Sequence, residues 1–362
     1  SHILSGFYAL CIKSLMPWMD IHNAALTVAM LVPPLLFSVY LLTARWVTEL
    51  FIDKDWSRFS AFIILFLAGI MLQFAPGRLD HHGLEGLLGL AAFGCATRMI
   101  ANSASWTMPA FTGFLLAFGL VIGLESLPIL LVIVGYLGIW SVITKASASS
   151  GVIFAGTLFV SCAALLLLSI PPSHILTINL DSYSLAYVIL TAGIATCFGC
   201  AALTSTYLSN LTCRVIFNIF FAALVFGGFL AAFPALKNGP YGGVDPAVLH
   251  LILRHAQEAQ PVVGSGGLVP RSVFLPFFAL LVSVDLFRCN PSMRWHIGLL
   301  QTCLLSSYML ALFYQQRFMV YAESFSIIPL VYGVQRVWDI TKNWPDQNSK
   351  LIARVAVLAV AG

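Results

Sequence analysis

The segment GRLDHHGLE, residues 77–85, brings an Asp, two His and a Glu into a chain that is poor in charged residues. Asp80 and His82 are two positions apart, so in a non-helical turn their side chains can point the same way and share one cation. A carboxylate with an imidazole suits Mn²⁺, Zn²⁺ or Fe²⁺, whereas Mg²⁺ prefers oxygen ligands alone. The spacing predicts a metal site. The alternative is that Asp80 caps the N-terminus of a helix over 81–101, with the His side chains in the lipid headgroup region.

A second carboxylate with possible chemistry is Glu258, in the sequence HAQEAQ. Residues 246–258 are predicted to form a short amphipathic helix that ends in a Gly-rich tail. A carboxylate at the start of a mobile loop can close over a site or join a metal when substrate arrives. The alternative interpretation is a solvated surface Glu.

The segment YQQRFMVYAESF, residues 314–325, carries a cation and an acid. Arg317 is expected at the outer mouth of a span, where its guanidinium suits a phosphate near the membrane surface. Snorkelling to the interface is the ordinary alternative. Glu323 is about two turns deeper, and an acid inside a span is a functional candidate. Glu125 and Asp285 are candidates for the same reason, and ion pairing inside the bundle stays open for all three.

The elements that must position these side chains are transmembrane helices. Hydrophobic residues make up 60% of the 362 residues and charged residues 9%, against about 25% charged in soluble domains. Apolar runs of roughly 20 residues, each long enough to cross a bilayer, recur along the chain. We predict an all-α polytopic bundle of about twelve spans, preceded by an interfacial helix within 1–18. The predicted spans are 22–48, 58–76, 81–101, 106–124, 127–145, 150–171, 183–206, 211–236, 272–290, 295–314, 317–338 and one starting near 350.

The distribution of Lys and Arg predicts the orientation of the bundle. If the first span runs from outside to inside, twelve of the eighteen basic residues fall on the inner side and six on the outer side. An excess of basic residues marks the cytoplasmic face. The segment 77–85, the long polar loop 237–271 and Arg317 are therefore all expected on the extracytoplasmic face.

Some functions are excluded by what the sequence lacks. The chain has no Gly-rich phosphate loop and no nucleotide-binding motif on the predicted cytoplasmic side. ATP-driven transport and direct use of nucleotide-sugars inside the cell are therefore not supported, and nothing in the sequence predicts nucleic-acid binding. The chain begins without Met and ends inside an apolar run, so we expect it to be part of a longer protein.

Taken together, in this order and on one face, the three segments resemble motifs of GT-C class membrane glycosyltransferases. They are most similar to the catalytic subunits of bacterial and archaeal oligosaccharyltransferases. RLDHHGLE resembles the second acidic motif, whose Asp and second His bind the catalytic metal, here Asp80 and His82. HAQEAQ is similar to the fifth-external-loop motif, whose Glu contacts acceptor and metal, here Glu258. RFMVYA resembles the start of a late helix whose Arg holds the phosphate of the lipid-linked donor, here Arg317.

The resemblance implies a GT-C-like transmembrane domain over 1–362, with 237–271 as its long extracytoplasmic loop. It implies transfer of a sugar or glycan from a polyprenyl phosphate or diphosphate carrier to a protein, lipid or glycan acceptor. Membrane lipids are expected as further partners of the protein. Divalent Mn or Mg would serve as cofactor, with Asp80 and Glu258 as catalytic residues. Further site residues are expected among His81, Arg78, Glu85 and Glu323.

The implied location is a prokaryotic inner membrane, with the active site facing the periplasm. The family's first acidic residue, from its first external loop, and its soluble C-terminal domain have no counterpart in these residues. An N-terminal helix and that domain are thus expected to be missing. If the natural chain lacks them, an acceptor other than asparagine is favoured.

Two other functional classes stay open. In a metal or ion transporter or channel, Asp80, His81 and His82 would form an outer entry site, and the acids within the spans would line a path. In a non-catalytic homologue, the chain would be a structural subunit of a larger membrane complex.

Overall fold

The computed structural model describes residues 14, 18, 20–78, 80–144, 148–238, 257–263 and 270–361, and none of these residues lies in a strand. The predicted all-α class is confirmed. The α-helices of the described part, numbered in order, are α1 (Ile21–Thr48), α2 (Lys54–Ser57), α3 (Phe59–Ile64), α4 (Ala68–Gln73), α5 (His82–Ala101), α6 (Thr107–Ile122), α7 (Leu127–Ile143), α8 (Ala148–Ser169), α9 (Leu185–Tyr207), α10 (Leu211–Ala232), α11 (Pro270–Cys289), α12 (Arg294–Phe313), α13 (Met319–Thr341) and α14 (Gln347–Ala361).

Seven helical segments of the described chain are long and apolar enough to cross a membrane. Most predicted spans coincide with a helix to within a few residues, as 295–314 does with Arg294–Phe313. The total of about twelve crossings stays a prediction. The seven segments are Ile21–Thr48, His82–Ala101, Leu124–Ile143, Ala148–Ser169, Leu185–Tyr207, Leu211–Ala232 and Pro291–Phe313.

The chain divides into two compact units. The first unit comprises Ser1–Leu90, Pro261–Ser292 and Ser307–Gly362, and the second comprises Ala91–Gln260 and Met293–Ser306. Most of the predicted interfacial helix within 1–18 lies outside the described residues. The same is true of most of the predicted helix 246–258.

The core of the first unit is built around α13, which is buried without interruption from Met319 to Val334. α11 packs along it closely enough that a Cβ on Gly333 would lie 3.4 Å from Val282 Cγ1. α1 contacts it through a buried hydrogen bond of 2.7 Å from the Tyr40 hydroxyl to Ser324 Oγ. α13 is thus the scaffold against which this unit is assembled.

The predicted span 58–76 is not one continuous helix in the structure. It contains α3 and α4, joined by a tight 3-10 turn in which the Leu67 N–H donates to the Ile64 carbonyl. The break exposes backbone N–H groups at the start of α4, and such groups need acceptors. The fully buried Glu323 of α13 supplies them, because it accepts from Gly69 N at 3.1 Å and Ile70 N at 2.9 Å.

The second unit is a bundle in which glycines allow helices to approach closely. A Cβ on Gly113 of α6 would lie 2.5 Å from the Phe154 carbonyl of α8, and one on Gly151 would lie 2.9 Å from Phe198 of α9. A cavity of about 270 Å³ with almost entirely apolar walls lies between α7, α9 and α10. No charged residue lines it.

Candidate functional site

A tight turn between α4 and α5 carries the first predicted site residues. Gly77 has a φ of +89°, in the left-handed region where a side chain would be strained. Its N–H donates to the Ala29 carbonyl of α1 at 2.8 Å, and the Arg78 N–H donates to the Ala75 carbonyl at 3.0 Å. The first of these bonds ties the turn to α1, and the second closes the turn itself.

Asp80 lies among three basic side chains. Arg78 Nη2 is 3.2 Å from Oδ2, His81 Nδ1 is 3.0 Å from Oδ1, and His82 Nε2 is 3.7 Å from Oδ2. Partial burial opposes ionisation of the carboxyl. The hydrogen bond with His81, the charges of His82 and His81 and the hydrogen bond from Arg78 outweigh it and hold the pKa of Asp80 well below its usual range. Asp80 is therefore a carboxylate at neutral pH.

Asp80 does not cap α5 in the way the alternative sequence interpretation required. The helix begins at His82, and the Glu85 N–H donates to the His81 carbonyl at 2.9 Å, so His81 occupies the N-cap position. The Asp80 carboxylate instead accepts from the His81 backbone N–H at 2.7 Å. One residue before the cap, its side chain is available for another role.

His82 lies between two carboxylates in the first turn of α5. Its Nε2 is 3.7 Å from Asp80 Oδ2, and its Nδ1 is 3.4 Å from Glu85 Oε2. His82 is 5% exposed and Glu85 1% exposed.

These donor atoms fit a divalent cation. Two atoms each about 2.1 Å from one cation can be no more than about 4.2 Å apart, and the Asp80–His82 pair meets that limit. His81, His82 and Glu85 also offer ligand atoms within 4.8 Å of one another. The mixture of imidazole nitrogen and carboxylate oxygen suits Mn²⁺ or Zn²⁺.

Arg317 lies in a 3-10 turn, Gln316–Phe318, directly before α13. Partial burial lowers the pKa of its guanidinium, while the negative charges of Glu85 and Asp80 oppose that shift. The structure thus brings Arg317 within electrostatic range of both carboxylates, in the same unit. It is half-buried, which a simple snorkelling role does not require.

Two glycines of α5 let α13 come close to the site. A Cβ on Gly86 would lie 3.5 Å from Val320 Cγ1, and one on Gly89 would lie 2.9 Å from Tyr321 Cε1. The Tyr321 hydroxyl is buried, and no described residue makes a hydrogen bond to it. Tyr321 also lies within electrostatic range of Glu85.

Tyr321 is a neighbour of Glu85 that the sequence interpretation did not single out. It lies in the first turn of α13, and its only sequence signal is its position four residues after Arg317.

Glu258 lies in a short 3-10 turn, Gln257–Ala259, of the second unit and is exposed. The segment before it lies outside the described residues. Its predicted part in the site stays a prediction.

Glu323 contacts the start of α4. Both of its carboxylate oxygens accept backbone N–H groups of α4. This contact gives Glu323 a structural role as the cap of a broken span.

Comparison with solved structures finds archaeal oligosaccharyltransferase AglB of Archaeoglobus fulgidus. AglB in complex with an inhibitory peptide and a dolichol-phosphate is similar at a TM-score of 0.73 and 14% identity, covering 99% of this chain and 46% of that chain. The A. fulgidus enzyme tethered via a disulfide bond to an acceptor peptide containing the NVT sequon is similar at a TM-score of 0.66 and 14% identity, covering 94% and 44%. The same enzyme in complex with Zn and sulfate is similar at a TM-score of 0.66 and 15% identity, covering 99% and 44%.

The chain thus spans less than half the length of the structures it matches. No protein-family model and no curated protein matches the sequence. At this level of identity the likeness concerns the fold, and the resemblance read from the three sequence motifs is confirmed at that level. The chain therefore has an oligosaccharyltransferase-like GT-C fold.

Proposed function

We propose that this chain transfers a sugar or glycan from a polyprenyl phosphate or diphosphate carrier to an acceptor at the extracytoplasmic face of a membrane. The observation that carries the proposal is the grouping of Asp80, His82 and Arg317 in one unit of an oligosaccharyltransferase-like fold. Asp80 and His82 offer two ligand atoms that suit a metal, and the half-buried guanidinium of Arg317 lies within electrostatic range of Asp80. These positive charges would stabilise a phosphate as it leaves.

Asp80 and His82 would hold a divalent cation, Mn or Mg, of which Mn is favoured by the imidazole nitrogen. When bound, such a cation supplies positive charge that stabilises the phosphate as the glycosidic bond breaks. A Zn complex of the A. fulgidus enzyme supports a cation in this fold. Arg78 and His81 keep Asp80 ionised, and so ready to act as a ligand, through the contacts described above.

Arg317 binds the donor phosphate in this proposal. A planar guanidinium can donate two parallel hydrogen bonds to phosphate oxygens. Its position before α13 also suits a lipid phosphate near the membrane surface, and the dolichol-phosphate complex of AglB supports a lipid-linked donor. Apolar surfaces of the spans would accommodate the polyprenyl tail.

Glu258 orients the acceptor in this proposal. Its exposed carboxylate can accept hydrogen bonds from an acceptor amide or hydroxyl. The acceptor-peptide complex of the A. fulgidus enzyme supports a peptide as the acceptor class to test first.

The experiment that tests the proposal compares Asp80→Asn with the wild type. The purified full chain in proteoliposomes is given a polyprenyl-diphosphate-linked glycan and a fluorescent acceptor peptide, and glycopeptide is measured. We expect Asp80→Asn to lower transfer about 100-fold or more, because charge stabilisation at the leaving phosphate is lost.

The matched control is Asp55→Asn, which changes an acid of the same unit whose side chain is 91% exposed. This variant should transfer like the wild type. If Asp80→Asn transfers glycan as fast as the wild type, Asp80 has no role in the mechanism. The thermal midpoint of the variant confirms that it is folded.

A further inference from the structure

The buried carboxylate of Glu85 has no evident structural purpose. It is 1% exposed, and its Oε1 accepts no hydrogen bond from any described residue. Burying an ionisable group without full hydrogen bonding is costly, so such groups are usually retained for a reason. Its Oε2 lies 3.4 Å from His82 Nδ1, at the long end of the hydrogen-bond range.

The two nitrogens of the His82 ring face different carboxylates. Nδ1 is directed at Glu85 and Nε2 at Asp80. A neutral imidazole carries its proton on one nitrogen, and the other nitrogen keeps the lone pair that can bind a metal. A carboxylate that accepts from Nδ1–H therefore leaves the Nε2 lone pair on the Asp80 side.

The position of Glu85 on the helix is suited to hold this arrangement. His82 and Glu85 are three residues apart in the first turn of α5, where side chains at this spacing are neighbours. A Cβ on the following residue, Gly86, would lie 3.5 Å from Val320 of α13, and one on Gly89, one turn later, would lie 2.9 Å from Tyr321. Because α5 is packed against α13 at this point, the Glu85 side chain has little freedom to move away from His82.

We propose that Glu85 is a positioning residue, which accepts a hydrogen bond from His82 Nδ1 and thereby holds the Nε2 lone pair toward the cation that Asp80 and His82 bind. This inference rests on the proposed function, because it assumes a cation at these two residues. Glu85 acts only through His82 and touches neither donor nor acceptor. Partners of this kind set the tautomer and orientation of metal-bound His residues.

The test is the binding of Mn²⁺ alone to the purified full chain, followed by electron paramagnetic resonance. Glu85→Leu removes the acceptor while keeping a buried side chain of similar size. We expect its Mn²⁺ affinity to fall about 10- to 100-fold. We also expect loss of the ¹⁴N hyperfine signal that reports imidazole coordination in the wild type.

Glu85→Gln is the conservative variant, since its side-chain oxygen can still accept from Nδ1–H. It should lose less affinity than Glu85→Leu and keep the nitrogen signal. Thr97→Val is the matched control: Thr97 is a buried polar residue of the same helix whose hydroxyl donates only within the helix, to the Phe93 carbonyl. It should bind Mn²⁺ like the wild type.

Three outcomes would overturn the inference. If Glu85→Leu keeps the Mn²⁺ affinity and the ¹⁴N hyperfine signal of the wild type, His82 binds the cation without help from Glu85. Equal losses in Glu85→Leu and Glu85→Gln would assign the effect to charge instead of the hydrogen bond. A wild-type chain that binds no Mn²⁺ would remove the metal site and this inference together.

Failure of the inference and failure of the proposed function can be told apart by Asp80→Asn. If Asp80→Asn abolishes Mn²⁺ binding and Glu85→Leu does not, only the role of Glu85 is wrong. If both variants weaken Mn²⁺ binding but the wild type transfers no glycan, the positioning role stands and the proposed reaction is wrong.

Discussion

At the scale of single residues, the site is defined by how charges are paired around Asp80. Arg78, His81 and His82 surround its carboxylate, and the pKa of Asp80 is held well below its usual range by these groups. Their distances to Asp80 run from 3.0 to 3.7 Å. An ionised carboxylate beside the Nε2 of a buried imidazole is an arrangement that suits Mn²⁺ or Zn²⁺.

Arg317 gives the first prediction at this scale. Arg317→Ala should weaken binding of a short-chain polyprenyl phosphate about tenfold or more, since a hydrogen bond to a charged group contributes about 1.5–3 kcal/mol. Arg317→Lys keeps the charge but not the two parallel donors, so it should lose less affinity for the lipid than Arg317→Ala does. The measurement is the dissociation constant of the lipid for the full chain in detergent.

The control for this measurement is Arg58→Ala. Arg58 belongs to the same unit, and its side chain is 63% exposed. Arg58→Ala should bind the lipid with the affinity of the wild type. If Arg317→Ala also binds the lipid with wild-type affinity, Arg317 only snorkels to the interface.

At the scale of elements, the contact between α5 and α13 carries the site. The first turn of α5 presents His82 and Glu85, and the turn before α13 presents Arg317. Close approach of these two helices depends on Gly89, because a Cβ there would lie 2.9 Å from Tyr321 Cε1. The elements that position the site are therefore two packed helices, with a constrained turn at Gly77 leading into one of them.

The two glycines make a matched pair of variants. A Cβ on Gly89 would lie 2.9 Å from a ring carbon of Tyr321, closer than packed atoms tolerate, whereas a Cβ on Gly86 would make an ordinary contact of 3.5 Å with Val320. We expect Gly89→Ala to destabilise the fold by about 1–3 kcal/mol, and Gly86→Ala to change little. The thermal midpoint of the full chain in detergent measures this.

Both variants should be assayed for glycan transfer as well. Gly89→Ala should lower transfer, because displaced α13 would move Arg317 relative to Asp80. An unchanged thermal midpoint in Gly89→Ala, or equal losses in both variants, would contradict the importance of this contact.

At the scale of the whole molecule, the classes to be distinguished are an enzyme, a transporter and a non-catalytic structural subunit. The fold matches an oligosaccharyltransferase over 94–99% of this chain in the structures compared. Of the acids predicted to line a transport path, Glu323 caps α4 instead. Asp285 accepts a hydrogen bond from Tyr332 at 2.9 Å and lies 3.5 Å from Arg336 Nε. Two of these acids are thus engaged in structural contacts.

A metal-removal experiment distinguishes the two classes. In proteoliposomes containing the full chain, EDTA should abolish transfer from the polyprenyl-linked donor, and added Mn²⁺ should restore it. No Mn²⁺ should enter the vesicles when the lipid-linked sugar is absent. Protein-free liposomes and Asp80→Asn proteoliposomes are the controls. Transfer that persists in EDTA would contradict metal dependence, and Mn²⁺ uptake without donor would favour a transporter.

Much of the fold could be predicted because hydropathy is a local property. Each span must fill a hydrocarbon layer of about 30 Å, so its limits can be read from one stretch of sequence, as at 295–314. The span 58–76 differs because its continuity depends on Glu323, which lies more than 250 positions away from the amides it caps. No local pattern reports such a contact.

The sequence by itself determined the helical class, the places of most spans and the residue types able to bind a metal and a phosphate. These follow from side-chain chemistry and local hydropathy. Only the structure decided that Asp80 stands outside the cap of α5, that Glu85 faces the other nitrogen of His82, and that Tyr321 lies against α5 near Glu85. The first two outcomes depend on side-chain directions within residues 80–85, and the third is set when α5 and α13 pack together.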